Sequence, residues 1–274
     1  MFHYILFHCI QFLVVYVAIY AIFTNTLQIY KNNNNQTKKL GKNRKKKNEE
    51  LRMKNFFVTL HAKLISTMNF LEEKILSDGN IREGNILKID NFLNHQIDID
   101  IMRQIAYELK RRFSNVTVNK VLTIEASGIA IATMLGDLYD VPVVFAKKSE
   151  TANSTDDKYV SQAYSFTHTK MNNVFVSKPY LHSTDHVLIV DDFLADGQAM
   201  HSLIDLVHQA GGTVAGIGIA VEKGQQQGGK VLREEGYRLE SIAIIEEMDW
   251  KTQTIRFREQ KNLQDENTRL KLKK

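Results

Sequence analysis

Two adjacent carboxylates stand directly after an apolar run, and a short segment containing one glycine follows them. The run is Val187–Val190, the acidic pair is Asp191 and Asp192, and Phe193–Gly197 leads into a helical pattern that begins at Gln198. Backbone N–H groups at the start of a helix attract an anion such as a phosphate. Carboxylates at the carboxyl end of a central strand accept hydrogen bonds from hydroxyl groups such as those of a ribose. The pattern therefore predicts a site for a phosphorylated sugar.

An ordinary strand–turn–helix with an acidic cap is the simpler interpretation of the same residues. Aspartate is common at the start of helices, and Asp196 stands where it would cap this one. Two acids placed straight after four apolar residues nevertheless favour the substrate site. The residues that we expect around the phosphate are Ala195, Asp196, Gly197, Gln198 and Ala199.

Apolar runs rich in Val and Ile recur along the chain and alternate with segments of helical periodicity. Such alternation is typical of an α/β fold in which helices flank both faces of a mostly parallel sheet. We predict five strands for that sheet, at Lys120–Glu125, Val141–Ala146, His186–Val190, Thr213–Val221 and Arg238–Ile245. The predicted helices are Phe70–Leu76, Ile99–Phe113, Gly128–Leu138 and Gln198–Ala210. Short strand candidates are Tyr164–Phe166 and Val174–Val176, and a loop is expected at Glu150–Lys158.

The positive charge of the chain is concentrated near its beginning. Residues 1–67 carry eleven Lys and Arg against two Asp and Glu, whereas residues 68–274 carry 25 basic and 29 acidic side chains. The net charge of +5 therefore does not describe the predicted α/β region, which is mildly acidic. This distribution argues against binding to nucleic acid, which needs basic residues on the folded surface.

The first 30 residues contain no charged side chain and are mostly apolar, a length sufficient to span a bilayer. If they form a real anchor, the basic run at Lys38–Lys47 puts the rest of the chain in the cytoplasm. The interpretation that we favour is a dispensable or artefactual extension, because the well-patterned sequence opens at Met68. The expected organisation is an extension over 1–67, the α/β domain over 68–261 and a polar tail over 262–274.

The strand, the acidic pair and the glycine loop together resemble the defining motif of the type I phosphoribosyltransferases. Phe193-Leu194 after the acids and Gly197-Gln198-Ala199 after the loop are similar to bacterial members that use xanthine. The likeness runs from about Met68 to about Gln260. It implies a small hood subdomain, 5-phosphoribosyl 1-pyrophosphate (PRPP) as donor, and Mg²⁺ with it. Asp196 replaces the Asn of that motif, so its carboxylate should point away from the 5′-phosphate or cap the helix.

The resemblance implies three residues at the purine base. Leu87 offers an apolar face to the ring, and Asn94 offers a donor and an acceptor to the base edge. Lys223 donates to the 6-oxo group in this interpretation, which disfavours adenine but does not rank xanthine, guanine and hypoxanthine. The alternatives are a core leucine, a turn asparagine and a solvated lysine.

The resemblance also implies where pyrophosphate lies. Ser127 and the N–H groups of its turn suit an anion, and Gly128 allows close approach. Lys147, followed by Lys148, is expected to neutralise the pyrophosphate, and an exposed lysine is the alternative. Residues from Ser149 to about Ser165 resemble the flexible lid that excludes water from the reacting centre in this family.

The reaction implied by the resemblance is transfer of the phosphoribosyl group to N9 of xanthine, a step of purine salvage. Guanine and hypoxanthine are alternative bases. Asp191 or Asp192 is a candidate general base beside bulk water, and no residue is assigned as a direct metal ligand. A PRPP-binding transcriptional regulator is the alternative from another class, but residues 1–67 lack a helix-turn-helix pattern.

Cysteine usage and the same resemblance give the remaining expectations. Cys9 is the single cysteine and cannot form an internal disulfide, so a cytoplasmic location is expected. The expected partners are PRPP and xanthine, without nucleic acid, and a membrane enters only if residues 1–30 are an anchor. Family resemblance implies a homodimer.

Overall fold

A computed structural model of the protein describes residues 68–148, 157–165 and 170–260. The helices are α1 (Phe70–Asp78), α2 (Ile99–Arg112), α3 (Gly128–Tyr139), α4 (Gln198–Gln209) and α5 (Gly228–Glu234), with a π-helical turn at Asp90–Asn94 and a 3₁₀ turn at Lys178–Tyr180. The strands are β1 (Asn80–Arg82), β2 (Ile86–Lys88), β3 (Lys120–Ile124), β4 (Val143–Ala146), β5 (Lys158–Ser165), β6 (Lys170–Ser177), β7 (His186–Leu194), β8 (Thr213–Lys223), β9 (Leu239–Asp249) and β10 (Thr254–Phe257). In these ranges no helix is long and apolar enough to cross a membrane. The predicted extension over 1–67, residues 149–156 of the predicted lid and the tail over 262–274 lie outside the described residues.

Six strands form the central sheet in the order β10-β9-β8-β7-β3-β4. The five strands from β9 to β4 pair in parallel, whereas β10 pairs antiparallel with β9 at one edge. The predicted α/β fold with five mostly parallel strands is therefore confirmed. The sixth strand was not predicted, because Thr254–Phe257 alternates polar and apolar residues over a length too short to indicate a strand.

Helices cover both faces of this sheet and give each face its own apolar core. Leu188 and Val190 of β7 pack into the core that contains residues of α2 and α3. Val187 and Ile189 pack into the second core, which contains residues of α4. Because successive side chains of a strand point to opposite faces, β7 is apolar at every position from Val187 up to the acidic pair. This explains why its sequence indicates a buried central strand.

A small subdomain precedes α2 and is held by the other end of the described chain. Its parts are the hairpin of β1 and β2 and the π-helical turn. Gln253, in the turn between β9 and β10, donates to the Ile81 carbonyl at 2.7 Å and accepts from the Ile81 N–H at 3.3 Å. The Trp250 N–H donates to the Asn85 side chain at 3.0 Å. These contacts join the expected hood to the β9–β10 hairpin.

A second hairpin corrects the prediction for the lid segment. Residues Lys158–Ser165 form β5, which pairs antiparallel with all eight residues of β6. The Gln209 side chain of α4 donates to the Val160 carbonyl at 2.8 Å. The part of the predicted lid from 158 to 165 is thus a paired strand rather than a loop, and β6 is longer than the predicted Val174–Val176. Pairing with a neighbouring strand stabilises polar residues in the extended conformation, and a single-sequence pattern does not indicate that pairing.

Helix α1 begins with a capping box directly after Met68. The Asn69 side chain accepts from the N–H groups of Leu71 and Glu72, and the Glu72 carboxylate accepts from the Asn69 N–H at 3.0 Å. The Asn69 amide also donates to the Ile242 carbonyl of β9 at 2.9 Å. The described fold therefore uses residues from Asn69 onward.

We predict that a chain beginning at Met68 has the stability and activity of the full chain. A chain beginning at Phe70 is the matched control, because it lacks the cap and should be less stable by about 0.5–2 kcal/mol. Thermal unfolding of the three chains measures the difference. Insolubility or lost activity of the chain that begins at Met68 would show that residues 1–67 belong to the working protein.

Candidate active site

Four of the predicted site residues lie on adjacent strands, at the edge of the sheet that the carboxyl ends of these strands form. Lys147 follows β4, Ser127 follows β3, Asp191 lies near the end of β7 and Lys223 ends β8. The order of these strands in the sheet is β4-β3-β7-β8. Neighbouring strands lie about 4.8 Å apart, so the four positions span about 15 Å along the edge. The carboxyl ends of parallel strands are where α/β proteins bind ligands.

The acidic pair is buried within this edge. Asp191 and Asp192 are only 6% and 7% exposed, and the Asp192 N–H donates to Asp191 Oδ1 at 3.0 Å. Burial first, and then the negative charge of Asp192, raise the pKa of Asp191 well above its usual range. The positive charge of Lys148 opposes this rise. A hydroxyl donor or a cation would therefore stabilise the charged form of Asp191.

Gly128 brings the turn after β3 against the acidic pair. A Cβ atom at this position would lie 2.7 Å from Asp191 Oδ1 and still closer to Thr123 Oγ1. Only glycine therefore fits here, and the start of α3 faces Asp191 directly. Ser127, the preceding residue, is half-buried. The structure thus places Gly128, and with it the turn that carries Ser127, next to Asp191.

Thr123 is a polar residue of this edge that the sequence analysis did not single out. Its side chain is fully buried in β3, and its hydroxyl has no hydrogen-bond partner among the described residues. The hydroxyl oxygen and Asp191 Oδ1 both pack against Gly128, where they lie within 2.7 Å of the position that a Cβ atom would take. The only signal in the sequence is one threonine inside the apolar run of β3.

Two hydrogen-bond connections fix the backbone around Lys147. The Glu125 carboxylate accepts from the Lys148 N–H at 2.6 Å. Lys147 exchanges backbone hydrogen bonds of 3.0 Å with Phe175 of β6. The Lys147 side chain is half-buried and that of Lys148 is exposed. The second hairpin therefore helps to hold the predicted pyrophosphate side of the edge.

The predicted phosphate loop has a left-handed residue at its centre. Gly197 adopts a φ of 89°, which favours glycine, and α4 begins at the next residue. The Gly228 N–H donates to the Ala195 carbonyl at 3.2 Å. Asp196 Oδ1 accepts from the Gln198 N–H at 3.2 Å, so its carboxylate bonds to the first residue of the helix. Of the two arrangements expected for Asp196, the structure has the one that caps the helix. Ala199 is half-buried and packs against the core of the α4 face.

Lys223 lies over an aromatic ring rather than extending freely into solvent. Its Nζ atom is 5.7 Å from the centre of the Phe193 ring, and its side chain is half-buried. Phe193 follows the acidic pair on the adjacent strand. No role is predicted for Phe193 from the sequence, although an aromatic residue beside the two acids is a visible signal. The Phe193 ring adds an apolar surface to the edge formed by the carboxyl ends of the strands.

Leu87 and Asn94 come from the small N-terminal subdomain. Leu87 is 8% exposed and belongs to the same apolar core as Val221. Phe193 is partly buried and packs against this core. Asn94 is exposed at the end of the π-helical turn, where Phe92 and Leu93 are buried. Leu87 is therefore mainly a core residue on the Phe193 side of the sheet, and Asn94 is accessible to a ligand.

A metal site made by the protein alone is absent from the described parts of the chain. No group of three or more His, Cys, Asp or Glu side chains there is arranged to hold a metal ion. The acidic pair offers two carboxylates, to which oxygen ligands of a metal complex or sugar hydroxyls would bind.

Comparison with known sequences identifies the family. The phosphoribosyl transferase domain family matches residues 88–261. A xanthine phosphoribosyltransferase of Bifidobacterium adolescentis is 52% identical over 192 residues, which are 70% of this chain and 100% of that relative. A xanthine phosphoribosyltransferase of Oceanobacillus iheyensis is 46% identical over 193 residues, which are 70% of this chain and 98% of the relative. The chain therefore belongs to the phosphoribosyltransferase family.

A solved structure supports the same fold. The adenine phosphoribosyltransferase of Leishmania donovani superposes with a TM-score of 0.54, covering 64% of this chain and 80% of that one. The two sequences are 13% identical, so the likeness shows the shared α/β architecture and no more.

Replacing Asp191 with Asn should remove activity and stabilise the fold at neutral pH. When the folded pKa of a carboxyl is raised, its contribution to stability is fully present below the ordinary value of 3.8 and is lost as pH rises through the folded pKa. The amide carries no charge, so the variant should melt above the wild type at neutral pH, with a difference that shrinks in acid. Activity should fall at least about tenfold, because a charged hydrogen-bond partner is lost.

The matched control is Asp140→Asn, an exposed carboxylate in a left-handed conformation that Asn tolerates. It should leave both the melting temperature and the activity unchanged. Activity of the Asp191 variant within a factor of about two of wild type, far below the charged-bond range, would remove this residue from the site.

Proposed function

We propose that this chain transfers the phosphoribosyl group from PRPP to N9 of xanthine, giving xanthosine 5′-monophosphate and pyrophosphate in purine salvage. One observation carries the choice of xanthine. Relatives named xanthine phosphoribosyltransferase are 46% and 52% identical to this chain over 98% and 100% of their own lengths. The site geometry supports the transfer, since anion, ribose and base positions follow one another along the edge of the sheet.

The bound substrates would follow the order of the strands. Pyrophosphate lies near Ser127 and Lys147, the ribose hydroxyls lie at the acidic pair, and the purine lies near Lys223 and Phe193. The 5′-phosphate occupies the loop of residues 195–199 at the start of α4. In the reaction the bond from C1′ to a pyrophosphate oxygen breaks, the oxygen keeps the electron pair, and N9 bonds to C1′. The protein contributes mainly orientation and electrostatic stabilisation of the positive charge on the ribose ring.

Magnesium enters this site with PRPP, as part of the substrate. It neutralises the charge of the leaving pyrophosphate. The acidic pair fits such a complex, because among the described residues these two buried carboxylates have a single hydrogen-bond donor, the Asp192 N–H, which bonds to Asp191 Oδ1. Their remaining oxygen atoms would accept hydrogen bonds from ribose hydroxyls or from water bound to the metal.

The N9 proton of the purine must leave during the transfer. Asp191 faces Gly128 on the β3 side, away from Lys223 on β8. We therefore do not assign this proton to Asp191, and Asp192 or water remains as its acceptor. Deprotonated Asp191 instead orients the sugar.

Within the phosphoribosyltransferases, the alternatives are guanine or hypoxanthine as the base. The alternative from another class of protein is a PRPP-binding regulator. The 6-oxo group is common to the three keto purines, so a donor at Lys223 serves each of them. We also propose that the enzyme is a cytoplasmic homodimer, which accords with the family resemblance.

Turnover of four bases, measured side by side, tests the proposed function. With PRPP and Mg²⁺, xanthine should give the highest kcat/KM, and adenine should be poorer by about two orders of magnitude or more, because its 6-amino group cannot accept the hydrogen bond that Lys223 would donate. A higher kcat/KM for guanine or hypoxanthine would favour the alternative base. No pyrophosphate release with any base, together with DNA binding, would favour the regulator.

Replacing Lys223 with Met tests the base pocket. The variant keeps most of the side-chain length but loses the donor, so kcat/KM for xanthine should fall about ten- to a hundredfold. The KM for PRPP should change little, and discrimination against adenine should relax. The control is Lys178→Met, because Lys178 lies at the same 5.7 Å from the Tyr159 ring but outside the proposed site. Weakened PRPP binding with an unchanged base preference would place Lys223 at the pyrophosphate instead.

A further inference from the structure

Helix α5 contacts the proposed site at two places although it contributes no residue to the chemistry above. It begins at Gly228, beside the phosphate loop, and ends at Glu234, before its C-cap residue Glu235. The strand β8, which carries Lys223, leads into it through a short loop. The helix thus lies next to both the predicted phosphate end and the predicted purine end of the site.

The first contact joins α5 to the end of β8. Glu222, the residue before Lys223, is 2% exposed and receives two hydrogen bonds from Arg233, at 2.8 and 2.7 Å. Ser241 of β9 donates to the same carboxylate at 2.5 Å. Burial alone would raise the pKa of Glu222, but the hydrogen bonds from Arg233 and Ser241 outweigh it and lower the pKa. The bidentate pair is therefore ionised and geometrically defined.

The second contact joins α5 to the phosphate loop. A Cβ atom at Gly228 would lie 2.5 Å from the Gly197 nitrogen, so the two backbones touch. His201, in the first turn of α4, has Nδ1 at 3.0 Å from the Gly197 carbonyl oxygen. Its Nε2 lies 2.9 Å from Glu235 Oε2 at the other end of α5. The loop is thus tied to both ends of the helix.

We infer that α5 is a brace that fixes the 5′-phosphate loop relative to Lys223, with Arg233 and His201 as positioning residues. The inference rests on the proposed function. PRPP is held at the loop and the purine at Lys223, so the distance from N9 to C1′ depends on how these two elements are placed. Reacting atoms must approach to about 3–3.5 Å, and a displacement of about 1 Å costs up to a hundredfold in rate.

Two neighbouring glutamates of this helix end provide a matched test of the loop contact. Glu235 faces His201, whereas Glu234 pairs with Lys230 at the surface, 3.8 Å away. Glu235→Ala should weaken PRPP binding about two- to tenfold, the range for one hydrogen bond, while Glu234→Ala should not. His201→Ala should have the same effect as Glu235→Ala. The double variant should be no worse than either single variant, because both break one connection.

Arg233 tests the other contact. Arg233→Met should lower kcat by about ten- to a hundredfold through misplacement of the base relative to the ribose. Arg233→Lys, which keeps a cation near Glu222, should recover part of that loss. Arg233→Met also leaves a buried carboxylate unpaired, so its melting temperature should fall. Should that variant not fold, the Glu235 and His201 variants, whose side chains are 41% and 36% exposed, still decide the matter.

Calorimetric titration with Mg²⁺ and PRPP, together with steady-state kinetics, separates the outcomes. A lower melting temperature with wild-type PRPP affinity and kcat in the Glu235, His201 and Arg233 variants would show a purely structural role and overturn the brace. A wild-type chain that neither binds PRPP nor turns over would overturn the proposed function itself. A wild type that is active beside unaffected variants would overturn the brace alone.

Discussion

Two carboxylates buried side by side at the end of the central strand are the constraint on which the rest of the site depends. Removing charge from water is costly unless the charge is paired, and Asp191 responds by a raised pKa. Two neighbours act on this carboxyl: Gly128 lacks the Cβ atom that would clash with Asp191 Oδ1, and Lys148 supplies a nearby positive charge. A sugar with hydroxyl donors and a bound cation would lower the free-energy cost of the buried charge. The free enzyme is thus less stable than it need be at the place where it binds its substrate.

The acidic pair is one position in a row of site residues, because the strands that carry them are parallel and adjacent. Because β4, β3, β7 and β8 are neighbours, their carboxyl ends would set the proposed pyrophosphate, ribose and purine positions in sequence. In the proposed arrangement the loop after β7 would hold the 5′-phosphate on one side, whereas the loop after β8 leads to α5. Glycines at 197 and 228 let those two loops touch. The reaction needs few chemical groups from the protein, and so the accuracy of this placement matters most.

The parts of this molecule with strong local signals were predictable from sequence. In the sequence the five parallel strands appear as apolar runs. The acidic pair and the glycine loop directly follow one of these runs. Elements that depend on distant partners were not predictable in the same way. The β1–β2 hairpin is held by Gln253, 172 residues from Ile81 along the chain. Phe193 acquires a role only because β8 places Lys223 over its ring. Leu87 and Asn94 entered through resemblance, since nothing in their own neighbourhoods indicates a purine.

The pH dependence of PRPP binding tests the central claim most directly. Binding of the sugar needs the charged form of Asp191, whose pKa burial raises well above its usual range. The affinity for PRPP with Mg²⁺ should therefore rise with pH as this residue loses its proton, at a pH above the range in which an ordinary Asp titrates. The phosphates of PRPP titrate as well, and Asp191→Asn therefore serves as the reference. Calorimetry should show a steeper rise and a larger proton release for the wild type than for this variant. Equal pH dependence in the two proteins would contradict the account.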